Sequence, residues 1–192
     1  MKRPHTFIVL SLVLLSCSAQ EIPNQETQIA QAILAAPEHQ RENATVKGFD
    51  SNGALVVIRE GSNDFICVAD DPAREGFSVA AYHKSLESFM LRGRELRSEG
   101  LNAKEVFDKR EEEVKAGTLT MPDKTTLYVT TGDVNEETGA IENLYTRYVI
   151  YIPYATEEST GMPLSPIAPG APWIMDPGTH RAHIMINPPK GQ

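Results

Sequence analysis

The chain has little with which to cross-link, and no long apolar run. Its 192 residues include two cysteines, Cys17 and Cys67. No run of 18 apolar residues occurs, which excludes a membrane-spanning helix. No basic stripe exists either: Lys and Arg number 18 against 26 Asp and Glu, for a formal charge of −8. That balance excludes nucleic acid as an expected partner. The chain also lacks a phosphate loop, a dinucleotide fingerprint, a serine elbow and an HExxH zinc motif. No cofactor is therefore expected. What is present is ordinary globular material, 41% hydrophobic and 23% charged, in a length that fits one domain.

The N-terminus reads as an export leader. Lys2 and Arg3 precede the apolar run Phe7 to Leu15, which is too short to span a bilayer but suited to a signal-peptide core. Small residues follow, Ser16 to Ala19. Cleavage after Ala19 gives a leader of 1–19 and a single domain over 20–192. Alternatively, Leu14-Leu15-Ser16-Cys17 resembles a bacterial lipobox, with a leader of 1–16 and Cys17 as the lipidation candidate. Membrane contact is then expected only through that anchor. Loss of Lys2 and Arg3 moves the charge from −8 to −10. Export leaves Cys67 without an intrachain disulfide partner, because Cys17 is either removed with the leader or taken by the lipid.

The rest of the pattern predicts an α+β domain with an antiparallel or mixed sheet. Asn24 to Ala36 has helical spacing, with Asn24 as cap and Pro37 as stop. Residues 44–69 read as a β meander, with turns at Asp50-Ser51-Asn52-Gly53 and Gly61-Ser62-Asn63-Asp64. An irregular stretch runs to about Tyr82. Two helices fill 84–116, the second opened by the capping box Asn102 to Glu105. Its charges from Lys109 to Glu113 read as a solvated face. Strands are expected at Thr126 to Thr130 and Leu144 to Tyr154. A proline-rich loop over 155–172 leads to a closing hairpin of Trp173 to Met175 and His180 to Ile186.

Two runs look familiar. Ala35-Ala36-Pro37-Glu38-His39-x-Arg41-x-x-Ala44-Thr45-Val46 is followed by Arg59-Glu60-Gly61-Ser62-Asn63-x-Phe65-x-Cys67, and the chain closes on Pro177-Gly178-Thr179-His180-x-Ala182-His183-Ile184-Met185-Ile186. In these the chain resembles a family of exported bacterial proteins. The resemblance implies export and a single domain. It brings no catalytic residue, substrate or cofactor with it.

Candidate chemistry rests on few side chains. His183, His39 and Cys67 are the catalytic candidates, and His39, His83, His183 and Asp70 are weak metal-ligand candidates. If His180 to Ile186 is a strand, His180 and His183 point to opposite faces and cannot share an ion. His183 with His39 is the favoured pair, each with an arginine two residues away that biases it towards neutrality. Cys67 on a strand fits a small buried hydrophobe better than a nucleophile. Asp70-Asp71-Pro72 fits a turn better than a cation loop. Two functions are weighed. One is a non-catalytic binding or interaction module of the cell envelope, periplasmic or secreted, whose partner is a small molecule or an envelope protein met by Tyr145, Tyr148, Tyr151, Tyr154 and Trp173. The other is a small exported hydrolase or metal-dependent enzyme, which requires the histidines, Cys67 and Asp70 to converge.

Overall fold

A computed structural model describes residues 22–135 and 137–190. The leader, its cleavage sites and Cys17 lie outside the described residues. The fold is α+β, with five α-helices and one mixed sheet of eight strands among the described residues. Among the described residues no helix is long and apolar enough to cross a membrane.

Helix α1 (Gln25–Ala32) starts where Asn24 Oδ1 accepts the Thr27 amide at 2.9 Å. It tightens into a 3₁₀ turn (Ile33–Ala35), and after Pro37 the short α2 (Glu38–Arg41) follows. The strands are β1 (Thr45–Phe49), β2 (Leu55–Arg59), β3 (Phe65–Val68), β4 (Phe77–His83), β5 (Thr125–Val134), β6 (Ile141–Tyr151), β7 (Trp173–Met175) and β8 (His183–Ile186). Helices α3 (Glu87–Ser98) and α4 (Ala103–Lys115) separate β4 from β5, and α5 (Glu157–Thr160) interrupts the proline-rich loop. The capping box of α4 forms as expected: Asn102 Oδ1 accepts the Glu105 amide and Glu105 Oε2 accepts the Asn102 amide. Gly100, at φ +93°, turns the chain between the two helices in a conformation costly for other residues.

The strand order is β2-β1-β3-β4-β5-β6-β8-β7. This corrects the expected meander, because β1 lies between β2 and β3 and runs parallel to β3. The chain leaves β2 and crosses the start of β1 rather than turning back beside β2. Ser62 and Asn63 amides both donate to Asn43 O, and Arg59 Nη2 donates to Ala44 O. Gly61 passes so close that a Cβ there would lie 2.2 Å from the Thr45 amide nitrogen. The Arg59 to Asn63 run that carries part of the family resemblance is thus the crossing itself.

β4 corrects the expected irregular stretch. Its Ser78, Ala80 and Ala81 have low strand propensity, but pairing with β3 on one side and β5 on the other overrides it. The sheet separates two cores. On one face α1 and the 3₁₀ turn cover β1 to β5, burying Val46, Cys67, Val79 and Ala81 against Ala32, Ala35 and Ala36. On the other, α3 and α4 cover Ile66, Tyr82, Leu127, Val149 and Tyr151 with Leu86 and Phe89.

Candidate functional site

The sheet keeps the sequence candidates apart. Cys67 pairs with Ala81 and faces the α1 side, fully buried. His183 pairs with Tyr151 and Met175 and faces the α3–α4 side. Three strands separate β3 from β8, a span of roughly 19 Å at the usual strand spacing. His39 is exposed on α2, which packs against the 3₁₀ turn on the Cys67 side. His83 shares that side with Phe65 and accepts the Ser85 amide through Nδ1 at 3.2 Å, capping the next turn. Asp70 Oδ1 accepts the Ser78 amide at 2.8 Å and ties the β3–β4 connection. Asp71 accepts the Ala73 amide, as the turn reading expects. The enzyme reading requires His183, His39, Cys67 and Asp70 to converge, and strand alternation instead sends His183 and Cys67 to opposite faces of the sheet, with His39 on the Cys67 side. Among the described residues no three His, Cys, Asp or Glu side chains are grouped to hold a metal ion. Cys67 is a core residue, and burial pushes its thiol up to about 11.

A second correction concerns His180. β8 begins only at His183, so His180 lies in the preceding turn and strand alternation does not apply to it. Both histidines are buried on the α3–α4 side. His180 sits between Phe89 and Phe107, with ring centroids at 5.5 and 4.8 Å. Its Nδ1 bonds Glu111 Oε2, which also accepts the His180 amide at 2.7 Å. Since a carboxylate only accepts, Nδ1 carries the proton and Nε2 the lone pair. That Nε2 is buried without a hydrogen-bond partner among the described residues. His183 Nδ1 likewise donates to Arg181 O at 2.7 Å. Burial lowers the pKa of both rings; Glu111 opposes this at His180, and at His183 the hydrogen bond to Arg181 O and the Asp176 carboxylate oppose it. Burial works against ionisation of Glu111, but bonds from Lys115 and His180 outweigh it and hold the carboxyl below its usual range.

Arginines complete this layer. Arg181 pairs with Asp176 at 2.7 Å and lies over Phe107. Arg110 is buried, stacks 3.8 Å above the Phe89 ring and donates Nη1 to Phe89 O. The expected solvated face from Lys109 to Glu113 is thus corrected at three positions: Arg110 is buried, and Glu111 and Glu113 are largely so. A sequence signal existed. Arg110 lies four residues after Val106 and four before Val114, on the helix's own apolar stripe.

The aromatic set divides too. Tyr151 belongs to the core, whereas Tyr148 is 38% exposed. Tyr148 meets Tyr128 edge-on at 5.7 Å, and both line a groove of about 260 Å³ with Leu34, Pro37 and Thr146. This groove opens on the α1 side, where the helical cover ends.

No family model matches the chain, and neither a curated protein nor a solved structure matches it.

Proposed function

We propose that this chain is an exported binding module of the bacterial cell envelope, periplasmic or secreted, which holds an envelope protein through the sheet face around Tyr148. The observation that carries the reading is the groove between Tyr128, Tyr148, Leu34 and Pro37. Beside it, the β6 and β8 residues Ile150, Ile184 and Ile186 continue the same face by register and are only half-buried. Two rigid tyrosine rings offer apolar area with little rotamer entropy to lose. A groove of about 260 Å³ is smaller than a typical small-molecule pocket and suits one anchoring side chain of a protein partner.

A second reading, a small exported hydrolase, draws on the Glu111–His180 pair, whose free Nε2 has the arrangement of a general base. The enclosure of that nitrogen by Phe89 and Phe107 favours the binding reading.

A photoreactive amino acid at position 148, compared with one at the exposed Leu91 on α3, tests the proposal in intact cells. A discrete adduct from position 148, absent from position 91 and lost with Tyr128→Ala, is the expected result. Equal labelling from the two positions would overturn it.

A further inference from the structure

Arginines collect on the α3–α4 side of this acidic chain. Arg94 and Arg97 come from α3, Arg110 from α4, Arg181 from the turn before β8 and Arg74 from the β3–β4 connection. Three of them have carboxylates: Arg74 with Asp71 at 3.3 Å, Arg94 with Glu87 at 3.0 Å, and Arg181 with Asp176 at 2.7 Å. Glu87 is itself shared with Lys47 at 2.6 Å. Arg97 and Arg110 have none among the described residues. Arg97 Nη1 donates to Gly93 O at 3.3 Å. Arg110 Nη1 donates to Phe89 O at 3.2 Å, and its Nε is buried with no partner among the described residues.

The two unpaired guanidinium groups meet over one residue. A Cβ on Gly93 would lie 2.9 Å from Arg110 Nη1 and 3.8 Å from Arg97 Nη1. The absent side chain is what lets both approach the α3 backbone. Arg97 is exposed, while Arg110 is 6% exposed. Two like charges side by side, one of them buried, are unfavourable without a counter-charge. Burial above all, with Arg97 and Arg181 adding to it and Tyr151 and Glu113 opposing it, lowers Arg110 to about 10.

We propose that Arg97 and Arg110, meeting over Gly93, bind a phosphate-type oxyanion: inorganic phosphate or a phosphate monoester. Two guanidinium charges with no carboxylate in contact suit the charge of roughly −1.5 to −2 that a phosphate monoester carries at neutral pH. The guanidinium fork fits paired phosphate oxygens. The site lies across the sheet from the tyrosine groove and does not depend on it.

Titration of the exported protein with sodium phosphate, and separately with phenyl phosphate, tests this against sodium chloride at equal ionic strength. Melting temperature and the Nε–Hε NMR signals of Arg97 and Arg110 are followed. Saturable shifts at both arginines and a rise in melting temperature are expected. Arg97→Ala, at an exposed position that spares folding, should weaken binding about tenfold or more. Arg97→Lys should recover part of the loss, and Lys104→Ala should change nothing. Recruitment to phosphatidylcholine vesicles containing phosphatidate, but not to phosphatidylcholine alone, would assign the anion to a lipid headgroup. Shifts without recruitment would assign it to a soluble phosphate. Responses no larger than those to chloride, or unaffected by Arg97→Ala, would overturn the proposal.

Discussion

Glu111 accepts two hydrogen bonds from His180, one from its backbone amide at 2.7 Å and one from ring Nδ1, across 69 positions of sequence. One carboxylate on α4 thereby holds the turn before β8 in place and selects the tautomer of a fully buried imidazole.

Glu111→Ala should therefore lower stability by about 2–3 kcal/mol, because it strands two donors of a buried residue. Lys115→Ala removes only the exposed partner of Glu111 and should cost less than about 1 kcal/mol. Urea denaturation of the two variants measures the contrast, and equal losses would contradict the role given to Glu111.

Stability should fall on mild acidification. Burial first of all lowers His180 and His183 below the ordinary value of 6.5. The unfolded chain then binds protons near pH 6.5 that the folded chain refuses. The stabilisation is complete above that pH and is lost as pH drops towards the folded values, by at most about 1.4 kcal/mol per pH unit for each histidine. Denaturation midpoints at about pH 7.5 and about pH 5.5 test the sign, and a flat profile would refute it.

Cys67→Ala should cost about 1–2 kcal/mol through lost packing against the α1 core. The native thiol, fully buried and raised to about 11, should resist a thiol reagent until the protein unfolds. Rapid labelling under native conditions would show the burial to be wrong.

Gly61→Ala should be among the costlier single substitutions, at about 2–3 kcal/mol. Its Cβ would press on backbone atoms, the Thr45 nitrogen at 2.2 Å and the Ala44 carbonyl carbon at 2.4 Å, which cannot rotate away. Gly53→Ala offers a comparison with open space around the Cβ, where only the left-handed φ of +76° is at stake. Thermal unfolding should rank Gly61→Ala as the more damaging.

Export is checked by fusing residues 1–25 to a reporter, which should cross the inner membrane. Labelled palmitate on the mature protein, abolished by Cys17→Ala, would select the lipobox. An N-terminus at Gln20 would select ordinary cleavage.

Sequence alone determined the features that are settled within a few residues. The Asn24 and Asn102 caps, the stop at Gly100, the Asp50 to Gly53 turn and the α+β composition all follow from local hydrogen bonding, backbone freedom and side-chain period. Tertiary structure decided what depends on distant partners. β1 and β3 became parallel neighbours because the chain crosses at Gly61 rather than folding back. β4 became a strand because two neighbours pair with it. The faces of the sheet separated His183 from Cys67. Arg110, one charge in a charged run, became buried only when α4 packed against Phe89 and Gly93 of α3. Local propensity is read from neighbours in sequence; burial, strand order and unpaired charge are properties of neighbours in space.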